Sequence, residues 1–276
     1  MRFKYLVGGV AALVAACGGG IESAGTPGTP GTPGTPGTPT PVVKGQFQPG
    51  LISGPGYSNQ YQVFVPLNYD ATKKWPVIVV LHGSGDEGND NQKQLLTGLG
   101  PVVNAQKATW PAITVFPQRR TTDQQRGGYL FIAIASLDSM IAKYNGDPTR
   151  AYLFGLSAGG QYGFEVIYRN PTRFAAYVPV AAHICTLCIT GAQPTLQSMT
   201  DAATVIAQTV PAMGYWAFHG SNDATIPVVD ARAAAAGWQK VNASAKYTEF
   251  PNVGHNSWDM AYATPALYTW LYQQHR

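Results

Sequence analysis

The pentapeptide Gly155-Leu156-Ser157-Ala158-Gly159 constrains this chain more than any other stretch. An apolar, strand-like run (Arg150–Phe154) leads into it, and a helix-like run (Ala158–Arg169) leads out. A strand that turns this sharply into a helix needs small residues on both sides of the turn. It then lifts the serine hydroxyl above the edge of a sheet. In a chain with 31 glycines the bare pattern carries little weight. The strand before it and the helix after it supply the meaning. The competing reading is a glycine-rich turn whose serine only caps the helix.

The rest of the folded part keeps the same rhythm. Tyr61–Val65 alternates like a half-buried strand, and Pro76–Leu81 is a short continuous apolar run, as in a strand buried on both faces. Similar runs follow at Ala112–Phe116, Ala175–Val180, Gly214–Phe218 and Lys246–Phe250. Helix-like stretches lie between or after them, at Tyr129–Tyr144, Val228–Val241 and Pro265–Gln274. Strands alternating with helices predict an α/β fold: a mostly parallel central sheet with helices on both faces. With 45% hydrophobic and 12% charged residues, the composition excludes wholesale disorder. The 18 basic residues less Arg2 and Lys4 leave 16 against 14 acidic, and no Lys/Arg cluster marks a nucleic-acid surface.

Arg2 and Lys4 precede an apolar run that closes on Val14-Ala15-Ala16-Cys17. A basic start, about a dozen apolar residues and a small-residue ending form a secretory signal. The ending resembles a bacterial lipobox, which makes residues 1–16 a lipoprotein signal peptide and Cys17 the lipidated first residue. The alternative is an ordinary signal peptide with an incidental cysteine. Gly18, where an aspartate would retain a lipoprotein at the inner membrane, favours the outer membrane. The expected location is the bacterial cell envelope, lipid-anchored, or outside the cell. Gly25–Pro39 is five exact Gly-Thr-Pro triplets. Proline every third residue keeps such a chain extended, so residues 17–45 read as a tether rather than a collagen triple helix. Residues 46–276 are then one catalytic-sized domain.

A serine hydroxyl is a poor nucleophile at neutral pH and needs a base, which in turn needs an orienting acid. Of the five histidines, His275 is penultimate, His82 precedes the serine, His183 follows the next strand, and His219 ends a strand near its own loop. His255 lies between the last strand and the last helix, where a base is presented in this architecture. Asp223 follows the preceding strand and is the predicted acid; Asp201 and Asp230 read as solvated or capping residues. Asp259, four residues past His255, is the remaining competitor. The order Ser157, Asp223, His255 is one of the known triad orders. Leu81-His82-Gly83-Ser84-Gly85 would supply a second anion-binding donor: the N–H of Ser84 beside that of Ala158. A plain β-turn would also want these glycines. His82 reads as a holder of this loop.

At these residues the chain resembles secreted α/β-hydrolases of a predicted-peptidase or carboxylesterase family. Feruloyl esterases and polyhydroxyalkanoate depolymerases are relatives of that family. Tyr61–Arg276 carries the likeness, through Val80–Gly88, Phe116-Pro117-Gln118, Gly155–Gly160 and Trp216–Gly220. The most specific block runs from Lys246 through Gly254-His255-Asn256-Ser257-Trp258-Asp259. The resemblance implies a Ser157–Asp223–His255 triad with no cofactor and no metal, acting on a small or polymer-derived ester. Gln118 and Trp258 are candidates to line the pocket. His183-Ile184-Cys185-Thr186-Leu187-Cys188 departs from the short glycine-rich loop of many relatives. Cys185 and Cys188 read as a local disulfide in an oxidising compartment; with His183 they supply too few ligands for a recognisable zinc site. The rival functions are a serine peptidase of the same fold, a polyester depolymerase and a catalytically silent binding lipoprotein. Compactness favours an esterase acting as a monomer, since such peptidases usually carry an additional domain.

Overall fold

The computed structural model describes residues 42–54, 57–121 and 127–276. The signal peptide, Cys17 and nearly all of the tether lie outside the described residues. Eight strands form one sheet in the order β1 (Phe47–Gly54), β2 (Tyr57–Phe64), β4 (Ile113–Pro117), β3 (Trp75–Leu81), β5 (Gly146–Leu156), β6 (Ala176–Val180), β7 (Gly214–Gly220), β8 (Lys246–Phe250). The pairs β1–β2 and β2–β4 are antiparallel, and every pair from β4 to β8 is parallel.

The buried strands owe their continuous apolar character to two cores, one on each face. In β3, Val77, Val79 and Leu81 enter one cluster while Ile78 and Val80 enter the other; in β5, Leu153 and Phe154 divide the same way. Neighbouring side chains on a strand point to opposite faces, so a strand covered on both sides has no polar face to show. The first core is closed by α2 (Gly127–Tyr144), α3 (Ala158–Arg169), α5 (Leu196–Thr209) and α6 (Val228–Gln239), through residues such as Leu137, Phe164, Ile206 and Trp238. The second is closed by α1 (Leu99–Ala105), α7 (Trp258–Tyr262) and α8 (Pro265–Leu271), through Leu99, Tyr262 and Leu267. A single turn, α4 (Thr186–Ile189), completes the set.

Residues Val42–Arg276 form one unit. The last residues of the predicted tether therefore belong to the domain. Gly45 N–H donates to Val65 O at 2.8 Å, and Lys44 Nζ donates to Tyr69 O. Parallel strands all end at one edge of the sheet, and the loops at that edge carry the candidate site.

Candidate active site

Strand β5 delivers Ser157 into a backbone conformation of φ 50° and ψ −120°, a region that residues with a Cβ rarely occupy. Two contacts hold this turn: Ser157 N–H donates to Val180 O, and Gln161 N–H donates to Ser157 O. The glycine at 159 answers to space. A Cβ there would lie 2.2 Å from Leu81 O, because α3 begins directly against the end of β3. The flanking small residues are thus the condition for serine, sheet and helix to meet.

The loops after β7 and β8 are stitched together before they reach the serine. Asn222 N–H donates to Val253 O, and Asn252 N–H donates to Ser221 Oγ. Asp223 and His255 stand on this double loop. His255 Nδ1 lies 2.7 Å from Asp223 Oδ2, and its Nε2 lies 3.0 Å from Ser157 Oγ. A carboxylate only accepts, so Nδ1 carries the proton and the bare Nε2 accepts from the serine hydroxyl. The carboxylate of Asp223 is shut off from solvent, while the His255 side chain keeps 22% exposure. Asp223 Oδ1 accepts from the N–H groups of Thr225 and Ile226 at 2.8 and 2.9 Å. Burial works to raise this carboxyl, but the bonds from His255, Ile226 and Thr225 outweigh it and hold it below the usual carboxylate value.

The competing acids fall elsewhere. Asp201 is exposed and takes a bond from Gln197 on its own helix. Asp230 faces His183 at 3.6 Å. Asp259 is exposed, with Asn256 as its hydrogen-bond partner. His219 is fully buried; its Nε2 lies 2.9 Å from Ile226 O and 3.2 Å from Asp223 Oδ2, so it braces the Asp223 carboxylate from the side away from solvent. His275 is exposed near the end of the chain.

His82 holds its loop in a definable way. Its Nδ1 donates to Gly83 O at 2.6 Å and its Nε2 accepts from Arg119 N–H at 2.9 Å, which requires the neutral ring. Burial pushes its pKa down, in keeping with that state. Ser84 opens a short turn (Ser84–Asp86) and Ala158 opens α3, so the N–H of Ala158 has no partner within its helix. Beneath the loop, Arg119 pairs with Glu87 and lies over the Tyr129 ring, which stacks on Tyr162. Sequence reasoning missed this support, although Asp86-Glu87 and Arg119 flank the two motifs it used.

Trp258 stands edge-on to the His255 ring, with centroids 5.3 Å apart. Gln118 is different. It is buried, its Nε2 donates to Asp86 O and Asp90 Oδ1, and its Oε1 accepts from Asn91 N–H. With both donor hydrogens and its carbonyl oxygen engaged, Gln118 ties loops together. Cys185 and Cys188 are joined as a disulfide. Among the described residues, no three His, Cys, Asp or Glu side chains converge in a way that could hold a metal ion.

No family model matches the chain, and no curated protein matches it in sequence. Solved structures do. A thermostable esterase superposes with a TM-score of 0.69 at 23% identity, over 83% of this chain and 63% of that one. The feruloyl esterase module from Clostridium thermocellum, complexed with sinapinate, gives 0.62 at 14% identity, over 79% of this chain and 84% of the module. This chain has an α/β-hydrolase fold. The fold also serves a larger protein from Bacteroides ovatus, designated a dipeptidyl aminopeptidase IV. That match has a TM-score of 0.62 at 13% identity, over 83% of this chain and 36% of that one. The chain spans less than two thirds of the thermostable esterase, so the likeness covers a domain and not that whole protein.

Proposed function

We propose that this α/β-hydrolase-fold protein is a serine esterase that cleaves carboxylic esters with short or aromatic acyl groups through an acyl-enzyme. The observation that carries the reading is the unbroken chain from Ser157 Oγ through the His255 ring to Asp223 Oδ2. Ser157 Oγ attacks the ester carbonyl while His255 Nε2 takes its proton. Asp223 keeps the ring in the tautomer that leaves Nε2 free and stabilises the imidazolium once it forms. The N–H groups of Ser84 and Ala158 receive the carbonyl oxygen as it becomes negative. His255 then protonates the departing alkoxide, and a water molecule repeats the sequence to release the acid.

A peptidase of the same fold is the second reading, favoured by the match to the aminopeptidase. An amide nitrogen demands stricter placement of the returning proton than an alkoxide does. An ester and an anilide of the same acyl group decide between the two. Purified protein is expected to turn over p-nitrophenyl butyrate with a kcat/KM far above that for the butyryl anilide. Equal values, or turnover of short peptides alone, would replace the esterase with the peptidase.

The proposed place of action is the cell envelope, where a lipidated Cys17 and the Gly-Thr-Pro tether hold the domain away from the membrane, within reach of esters on extracellular polymers. Cys17→Ser should leave an uncleaved precursor. Normal cleavage of that variant would show an ordinary signal peptide instead.

A further inference from the structure

A carboxylate that the mechanism above does not use stands beside the nucleophile. Asp86 closes the short turn after Gly83. The point a Cβ would occupy on Gly83 is 3.6 Å from Ser157 Cβ, 3.9 Å from Asp86 Oδ2 and 2.9 Å from Leu156 Cδ1. Nucleophile and carboxylate therefore both come close to Gly83, whose missing side chain leaves its place to Leu156 Cδ1. The carboxylate is fixed there: Thr97 Oγ1 donates to Asp86 Oδ2 at 2.8 Å, and Gln118 Nε2 secures its backbone carbonyl.

The neighbouring acids differ from Asp86. Glu87 is neutralised by Arg119. Asp90 is taken up by the N–H groups of Gln92 and Lys93 and by the Lys93 ammonium. Among the described residues, no Lys, Arg or His forms an ion pair with Asp86. Asp86 is half-buried, and its carboxylate is held by the Thr97 hydroxyl instead.

We propose that Asp86 is a specificity-determining residue, which favours esters with a positive charge near the scissile group and rejects those with a negative charge there. The proposal rests on Ser157 being the nucleophile. Asp86 Oδ2 and Ser157 Cβ lie 3.9 and 3.6 Å from one point at Gly83; over about 7 Å, one charge should be worth roughly three- to eightfold in kcat/KM. Salt should erode the effect, because Asp86 is only half-buried.

Three aryl acetates test this with the acyl group held constant: 3-tert-butylphenyl acetate, its trimethylammonium isostere, and 3-acetoxybenzoate. Their intrinsic reactivities differ, so each is compared between wild type and Asp86→Asn, in which the amide oxygen can still accept from Thr97. The cation-to-anion ratio of kcat/KM should fall roughly tenfold or more in Asp86→Asn at low salt. High salt should lower the wild-type ratio toward that of the variant. Asp259→Asn, which removes an exposed charge beyond His255, should leave the ratio in place. An unchanged ratio in Asp86→Asn, or its loss in Asp259→Asn, would overturn the assignment. If no acetate is turned over at all, the esterase reading has failed, and Asp86 is then judged by calorimetry. Wild type should bind 3-hydroxyphenyltrimethylammonium more tightly than Asp86→Asn does, with 3-hydroxybenzoate reversed. Identical binding by both proteins would refute it.

Discussion

Ser157→Ala and His255→Ala should each lower kcat/KM for a p-nitrophenyl ester by roughly four orders of magnitude or more, and the double variant should be little worse than either. The two groups perform one step between them. Once the hydroxyl is gone, the ring has no proton to take; once the ring is gone, the hydroxyl stays protonated. Non-additivity is the stronger half of this expectation, because two residues that only supported the fold would lose activity in proportion to their separate effects. Alanine at 157 also makes a clean comparison. It keeps a Cβ at φ 50°, so the strain of the turn is carried equally by wild type and variant. Thermal melts of the two should therefore lie close together. Losses that multiply in the double variant, or a Ser157→Ala protein with near-native turnover, would remove Ser157 from the chemistry.

The parallel strands were legible because burial on both faces leaves a simple mark: a short apolar run with no alternation. Val77–Leu81, Leu153–Phe154 and Tyr177–Val180 carry it, and each sits where the runs placed it. β1 carries no such mark. Pro49 and Gly50 interrupt its pattern, and as the outermost strand it pairs on one side only, which is where proline is tolerated. Helix α5 escaped for another reason. Its buried face is built largely of small residues, Ala202, Ala203 and Ala207 beside Met199 and Ile206, so its apolar stripe is faint. Its start is set by Thr195 and Ser198 capping one another, a signal that hydrophobic periodicity does not register.

The three candidate residues stood out by motif, chain position and resemblance: one at the end of β5, one in the loop after β7, one in the loop after β8. Their hydrogen bonds did not. Whether Asp223 or Asp259 faces the histidine depends on how two loops lace together through Asn222, Asn252 and Ser221, contacts between segments about 30 residues apart in the chain. The partners of Gln118 were equally hidden: its amide joins Asp86, Asp90 and Asn91, residues about 30 positions away in the chain.

Asp223→Asn should lower kcat by roughly three to four orders of magnitude, somewhat less than loss of the serine or the histidine. The wild-type carboxylate can only accept from Nδ1, and this leaves Nε2 bare toward the serine. An asparagine amide can turn its NH2 toward Nδ1, which moves the ring proton to Nε2 and leaves nothing to accept the serine proton. The ring is still present, so a minority of molecules retain the working tautomer and the loss is incomplete. A thermal melt separates this account from simple misfolding: an asparagine oxygen can still accept from the N–H groups of Thr225 and Ile226, so the variant should stay folded at assay temperature. Asp223 is ionised at neutral pH in the wild type, because its hydrogen bonds hold its carboxyl below the usual value. Asp259→Asn, on an exposed side chain whose hydrogen-bond partner is Asn256, should leave the rate unchanged. If Asp223→Asn kept near-native activity while Asp259→Asn collapsed, the acid would have to be reassigned. If Asp223→Asn lost activity together with its fold, the carboxylate would be holding the loop and not the proton.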